Sequence, residues 1–175
     1  MSFQLIIDDQ FLKTHIDHLL IQRPHLNILV KNKNMFFINI FLNKNKLEIS
    51  GAHFSKIYIN MPINFYTLTK SIDLICSSYK VNFKDLIYFP YLNKLFTNSN
   101  SLLLNDIHNK ILSNSIFYAE TGVNKIDLYR FLWPKDKEIS INKLDTHLTN
   151  LKNLIIEKLN FAIDFKSIKN NLFLN

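Results

Sequence analysis

The sequence predicts an α/β part at the N-terminus followed by an α+β part at the C-terminus. Three observations support this division. Short runs of β-branched and aromatic residues dominate the first sixty positions. Three stretches with apolar residues at helical spacing follow between residues 107 and 159. The final residues alternate between apolar and polar positions on either side of an Asn-containing turn, which is typical of a β-hairpin.

The N-terminal part begins with a strand-like apolar run at residues 3–7, and helical spacing follows as far as Pro24. Further strand-like runs, separated by Asn, Lys and Gly, lie at residues 26–30, 35–42, 47–50 and 56–60. From residue 64 to residue 76, apolar side chains recur every three or four positions, which predicts an amphipathic helix. We therefore expect a domain boundary within residues 77–85.

The C-terminal part is predicted to contain a small antiparallel sheet, three helices and the terminal hairpin. The sheet is expected within residues 86–104, and the first helix starts near Ile107. Asn124 can cap the second helix, which ends before Pro134, and Ser140 can cap the third. The third helix carries one apolar stripe, formed by Ile141, Leu144, Leu148, Leu151, Ile155 and Leu159. Its opposite side is polar and comprises Lys143, Thr146, His147, Asn150, Lys152 and Asn153.

The formal net charge of +7 is compatible with binding to nucleic acid, because clustered cations displace the counterions of phosphate groups. The charge is not clustered in the C-terminal part, however. Residues 1–100 carry a net charge of +5 and residues 101–175 carry +2. Nineteen of the 21 basic residues are lysines, and Asn, Ile and Lys are frequent throughout, as an AT-rich genome would impose. Composition alone therefore leaves open whether the positive charge serves nucleic-acid binding or only reflects an AT-rich genome.

Several classes of protein are disfavoured by the residues that are scarce. Cys76 is the only cysteine, so we expect no internal disulfide, no cysteine-built metal site and a reducing cytoplasm as the location. No window offers about 18 apolar residues without charge, so we expect no association with a membrane. Gly51 and Gly122 are the only glycines, which excludes a glycine-rich phosphate loop.

Candidate catalytic and metal-binding groups are incomplete. His15 and His18 have helical spacing, but no third ligand is indicated, so we expect surface side chains and no metal. Asp8 and Asp9 are assigned a structural role. No local grouping of a nucleophile with a base is evident. We therefore expect a protein that is not an enzyme and that needs no cofactor.

Two segments resemble the effector domain of bacterial response regulators of the OmpR/PhoB type. They read NKIDLYRFLWP at residues 124–134 and LDTHLTNLK at residues 144–152. In the family's wing position this chain has SIKNNLF at residues 167–173, with lysine for arginine, asparagine for glycine and phenylalanine for tyrosine. The resemblance implies a winged helix-turn-helix DNA-binding domain over residues 86–175.

The N-terminal part resembles a shortened receiver domain of the same two-component proteins. LIIDD at residues 5–9 resembles a first strand with its acidic pair, and MPI at residues 61–63 occupies the place of a Lys-Pro motif. No aspartate lies between Asp17 and Asp73, so the phosphoryl acceptor of the family is missing. The resemblance thus implies a degenerate α/β receiver-like domain over residues 1–80, and regulation that does not depend on phosphorylation.

The resemblance also implies a site and partners. The expected DNA contacts are Lys143, Thr146, His147, Asn150, Lys152 and Lys169. The partner is double-stranded DNA, with RNA polymerase at the loop of residues 134–139 and a second copy of the chain at the N-terminal part. Asn150 suits an adenine edge, and the lysines suit phosphates or guanine. The alternative is a module of the same fold that binds proteins and not DNA, because a fold does not fix a function.

Overall fold

The computed structural model describes residues 3–7, 14, 36–43, 45–51, 54–62 and 64–175. The chain divides into two compact units, residues 1–79 and residues 80–175. Several predicted features lie outside the described residues. These are the helix before Pro24, the strand at residues 26–30, the pair Asp8 and Asp9, and His15 and His18.

Four strands form one sheet in the first unit, in the order β1-β2-β3-β4. They are β1 (Phe3–Ile7), β2 (Phe36–Asn43), β3 (Lys46–Gly51) and β4 (Phe54–Asn60). β1 pairs with β2 in parallel, whereas β2 with β3 and β3 with β4 are antiparallel. Two residues separate β2 from β3, and two separate β3 from β4. Connections this short allow only antiparallel neighbours, since a parallel pair needs a crossover of about a dozen residues.

This topology corrects the receiver-like expectation for residues 1–80. A receiver-like sheet is built from parallel strands that alternate with helices. Here the strands from β2 to β4 form an antiparallel meander within residues 36–60. The strand patterns of β2, β3 and β4 can be read from the sequence. The direction of these strands depends on the length of their connections, and the connections are too short for the parallel arrangement that the resemblance implies.

The amphipathic helix of the first unit is confirmed as α1 (Phe65–Ser78). Asn64 caps it, because the Asn64 side-chain oxygen accepts a hydrogen bond of 2.8 Å from the Tyr66 amide. Its inward side chains are Leu68, Ile72, Ile75 and Cys76, all of them buried. Leu47 and Ile49 of β3 are also fully buried, because alternate residues of a strand point to the same side.

The second unit starts with an antiparallel sheet and continues with helices. The sheet contains β5 (Val81–Phe83), β6 (Leu86–Phe89), β7 (Lys94–Phe96) and β8 (Ser101–Leu103) in that order. The following elements are α2 (Asp106–Phe117), β9 (Val123–Asn124), α3 (Lys125–Leu132) and α4 (Ile141–Leu159). The sheet begins at Val81, five residues before the expected domain start at residue 86.

A β-hairpin completes the second unit. It consists of β10 (Phe165–Ile168) and β11 (Asn171–Leu174), and β11 also pairs with β9, which gives the sheet order β10-β11-β9. The Lys125 amide donates to the Asn170 carbonyl at 2.9 Å, which fastens the hairpin turn to the start of α3. The predicted order of sheet, three helices and hairpin is therefore observed in the described residues.

Candidate nucleic-acid interface

The third helix of the C-terminal unit, α4, has one buried side, as its sequence predicts. Its buried residues recur every three or four positions, and they are Leu144, Leu148, Leu151, Ile155 and Leu159. The Ser140 hydroxyl accepts from the Lys143 amide at 3.4 Å and begins the helix. Asn160 ends it in the left-handed conformation, at φ 49°, which asparagine tolerates better than most residues. The nineteen-residue helix therefore presents one long exposed side.

The exposed side of α4 carries almost no charge. Thr146 and Asn150, two of the predicted DNA contacts, are both exposed there. The other exposed residues of the helix are Asn142, Thr149, Asn153, Ile156, Glu157 and Lys158. The hydroxyls of Thr146 and Thr149 donate to the carbonyls of Asn142 and Asp145, respectively, one turn earlier. This surface offers amide groups for hydrogen bonding, and its Glu157 carboxylate is paired with the Lys158 ammonium at 2.8 Å.

Lys143 lies on one flank of α4 and is engaged within the protein. Its ammonium Nζ donates to the Asp136 carboxylate at 2.8 Å and lies 4.3 Å from the centre of the Trp133 ring. Its side chain is 40% exposed. Tyr129 donates its hydroxyl to the same Asp136 oxygen at 2.6 Å. These hydrogen bonds lower the pKa of Asp136 below its ordinary value, and the bond from Lys143 has a larger effect than the bond from Tyr129.

His147 lies on the same flank, and its ring packs toward the interior of the unit. The ring centre lies 5.3 Å from that of Trp133 and 5.9 Å from that of His108 on α2. Its Nδ1 atom is buried and has no hydrogen-bond partner among the described residues. The sequence placed His147 on the outward side of α4, whereas the structure places it against α2 and the α3–α4 loop. Successive residues of an α-helix are rotated by about 100° around its axis, so His147 points away from the exposed direction of its neighbour Thr146.

Lys152 lies on the other flank. It is nine residues from Lys143, which corresponds to about 180° around the helix axis. The Lys152 ammonium pairs with the Asp164 carboxylate at 2.8 Å. That hydrogen bond lowers the pKa of Asp164 below its ordinary value. The predicted lysines of α4 therefore do not share one side of the helix.

A cleft of about 310 Å³ separates this flank of α4 from the hairpin. Two ion pairs line it: Lys152 with Asp164, and Lys125 with Asp145 at 2.5 Å. The Lys125 side chain is only 11% exposed, whereas that of Asp145 is 49% exposed. Ser167 of β10 lines the opposite side. The cleft thus holds two lysines and two aspartates, and its charge is balanced.

Lys169 is located at the tip of the hairpin and is exposed. Lys169 and Asn170 both have positive φ angles, 47° and 66°, as a two-residue turn between antiparallel strands requires. The sequence expectation that asparagine would replace the family's glycine in this turn is therefore met at Asn170. The turn adjoins the cleft through Ser167 and the neighbouring strand β11.

Three residues of this surface were missed at the sequence level: Lys125, Asp145 and Asp164. Lys125 pairs with Asp145, 20 residues away in the chain, and Asp164 pairs with Lys152, 12 residues away. Asp145 and Lys152 both lie within the LDTHLTNLK segment, but they do not pair with each other, so the charges of this segment do not indicate the contacts. Their partners, Lys125 at the start of α3 and Asp164 just before β10, could not be inferred without the packing of these elements on α4.

Within the described part of the chain, no three His, Cys, Asp or Glu side chains come close enough together to hold a metal ion. None of the helices described there combines the length and the apolar character that a membrane span requires.

The chain was compared with known families, proteins and structures. No protein-family model matches it, and no curated protein matches it. Among solved structures it is similar to the C-terminal domain of the nisin resistance regulator NsrR, described as a lantibiotic response regulator. The similarity covers 55% of this chain and 96% of that one, at 23% sequence identity and a TM-score of 0.44. A likeness at this level assigns neither a family nor a function.

Proposed function

We propose that the C-terminal unit is a winged helix-turn-helix that binds double-stranded DNA and regulates transcription without phosphorylation. α4 is the recognition helix, and the β10–β11 hairpin is the wing. The observation that carries the proposal is the long exposed polar side of α4, which borders a cleft whose other wall is the hairpin. A helix of this kind fits the major groove while a neighbouring ribbon contacts the phosphates.

The exposed amide and hydroxyl groups of α4 suit base edges. Asn150 can form the paired hydrogen bonds that recognise adenine, and the methyl group of Thr146 can contact a thymine methyl. Lys143, Lys152 and Lys169 lie around this side and provide phosphate contacts. His147 takes part through its packing beneath Lys143 and Trp133, not through an outward contact.

Binding is expected to be weak and strongly dependent on salt. The residues from 141 to 175 carry five lysines and three acidic residues, with no arginine, so the paired hydrogen bonds of a guanidinium group are lost. Lys143 and Lys152 must also exchange an aspartate partner for a phosphate. Each exchange reduces the free energy that a phosphate contact contributes.

The N-terminal unit is proposed to act without a phosphoryl switch, because residues 18–72 contain no aspartate that could accept one. A second copy of the chain is proposed to associate through this unit. RNA polymerase is proposed to contact the exposed loop of residues 134–139. Sedimentation of the full-length chain over a range of concentrations tests the first association, and a pull-down with RNA polymerase core tests the second.

A second function is favoured by the ion pairs. Three lysines around α4, namely Lys125, Lys143 and Lys152, are each neutralised by an aspartate of the same unit. A unit with this balance can retain the winged-helix scaffold and bind a protein without affinity for DNA. The first function predicts an affinity for DNA that falls steeply as the salt concentration rises, whereas the second predicts no DNA binding at moderate salt.

The test is a salt titration of the full-length chain on a fluorescent duplex of random sequence, followed by anisotropy. DNA binding predicts an affinity that falls steeply between about 50 and 200 mM salt, with a logarithmic slope near 0.9 per phosphate contact. The variant K152E/K169E should lose this binding. The matched control K84E/K94E makes the same change of charge at the sheet of β5 to β8 and should retain most of the DNA binding.

Equal loss in both variants would mean that binding is diffuse and that α4 and the hairpin are wrongly assigned. No binding by the wild type at about 50 mM salt would refute the DNA hypothesis and favour the protein-interaction module.

A further inference from the structure

The contact between α2 and α4 contains two imidazole rings. His108 of α2 and His147 of α4 meet edge to face, with their ring centres 5.9 Å apart. The Nδ1 atoms of both rings are buried and have no hydrogen-bond partner among the described residues. His108 is only 7% exposed. A neutral imidazole can leave its Nδ1 atom without a proton, whereas protonation of His108 would bury an Nδ1–H group that has no acceptor among the described residues.

The groups around the pair offer no compensating negative charge. On the α4 side, the Lys143 ammonium lies 4.3 Å from the centre of the Trp133 ring, against which His147 packs. The nearby carboxylate, Asp136, already accepts hydrogen bonds from Lys143 and Tyr129. A proton added to the His108 ring therefore finds no free carboxylate on this side, because Asp136 is already paired with Lys143.

α2 also carries the ion pair of Lys110 with Asp106, in which the charges balance, and Lys110 lies over the ring of Phe131 on α3. β8 (Ser101–Leu103), which contacts α4, has no titratable side chain. The acidic side chains of α2 and α4 are already paired with lysines: Asp106 with Lys110, Asp145 with Lys125 and Glu157 with Lys158.

We propose that His108 and His147 form a proton-sensitive contact, so that protonation loosens the packing of α4 on α2. α2 is anchored to the sheet of β5 to β8, because the buried Tyr88 hydroxyl of β6 is within hydrogen-bond distance of Asn109 and Ser113 of α2. The cost of protonating His108 is therefore relieved by movement of α4 and the adjoining loop. The device acts on the helix that carries the proposed DNA contacts, but it does not depend on that function.

The direction of the effect follows from linkage. Burial, and secondarily the neighbouring His147, lower the pKa of His108 below its ordinary value of 6.5. The unfolded chain therefore binds more protons than the folded chain when the pH falls through 6.5. Stability contributed by this contact is complete above that pH and is lost below it. Each unit of pKa difference changes the unfolding equilibrium constant about tenfold.

The test uses Trp133, the only tryptophan of the chain, which contacts His147. Urea unfolding of the full-length chain is followed by tryptophan fluorescence from about pH 8 to about pH 5, a window in which ordinary carboxylates stay ionised. The urea midpoint of the wild type should fall as the pH is lowered. H108F removes the buried imidazole whose pKa is lowered and should flatten the profile, whereas H147F, which keeps an aromatic ring against Trp133, should flatten it only in part. The control H25F makes the same exchange in the first unit and should leave the profile unchanged.

A second measurement guards against a variant that does not fold. Proton NMR of the wild-type imidazole signals should give His108 a pKa below 6.5. A His108 pKa at or above 6.5 would overturn the proposal. A urea midpoint that falls equally in the wild type and in H108F would overturn it as well.

Discussion

The ring of Phe173 lies directly against the backbone of Gly122. A Cβ atom added at Gly122 would lie 2.7 Å from Cζ of Phe173, closer than any side chain allows. Gly122 also has a φ angle of 74°, in the left-handed region that favours glycine. Its amide donates to the Tyr118 carbonyl at 2.7 Å just after α2 ends. The contact joins the turn after α2 to the terminal hairpin.

We therefore expect Gly122→Ala to lower the free energy of unfolding of the second unit by about 1 to 3 kcal/mol, because it adds both backbone strain and a steric clash. Urea unfolding monitored by the single tryptophan measures it. Part of the loss should disappear in the double variant G122A/F173A, since the clash is then removed. Strict additivity of the two single changes would show that Phe173 does not restrict this position.

The ion pair of Lys125 with Asp145 leads to a second prediction. Asp145→Asn leaves the largely buried ammonium of Lys125 without its negative partner. We expect a loss of about 1 to 3 kcal/mol in unfolding free energy, below the cost of breaking a fully buried pair because Asp145 is half exposed. Asp164→Asn is the matched control, since both side chains of its pair are well exposed and it should lower the stability clearly less than Asp145→Asn does. Equal losses would contradict the distinction.

The amphipathic character of α4 can be tested on two adjacent residues. Leu151 is fully buried and Asn150 is exposed. Leu151→Ala should cost about 2 to 5 kcal/mol of unfolding free energy, because it leaves a cavity in the core. Asn150→Ala should change stability by less than about 0.5 kcal/mol. Chemical denaturation of both variants decides the matter, and a large cost at Asn150 would show that the outward side of α4 is itself covered.

The carboxylate of Asp136, in the loop after α3, is expected to have a lowered pKa. Because Lys143 and Tyr129 both donate to Asp136, its pKa in the folded protein lies below its ordinary value of 3.8. The stability that it contributes is present above pH 3.8 and is lost as the pH falls through the lower, folded-state pKa. Carbon-detected NMR of the side-chain carboxyl measures this pKa directly. Lys143→Gln should bring it back toward the ordinary value, and an unchanged pKa would exclude Lys143 as the main cause.

If the DNA hypothesis holds, Asp164 competes with phosphate for Lys152. Asp164→Asn should then tighten binding to random duplex DNA by several-fold at low salt, because Lys152 loses its intramolecular partner and the site loses a negative charge. Glu120→Gln removes the same charge from an exposed position just after α2 and serves as the control. A gain of equal size in both variants would indicate an effect of net charge alone.

The sequence determined the local structure of the second unit. The spacing of Leu144, Leu148 and Leu151 defines α4, because a helix that returns every 3.6 residues places these side chains on one side. Asn124 and Ser140 mark the starts of α3 and α4, because their side chains satisfy amides that a helix leaves unpaired. These are short-range effects, and each can be predicted from a few neighbouring residues.

The tertiary structure decided which polar residues are available. Lys143 and Lys152 appear equivalent in the sequence, yet each is paired with an aspartate that only the packing of the loop or the hairpin brings close. Sheet direction in the first unit was likewise fixed by the pairing of strands across short connections, against the receiver-like expectation. Such pairings join residues far apart in the chain, and their energies depend on distances that no local pattern specifies.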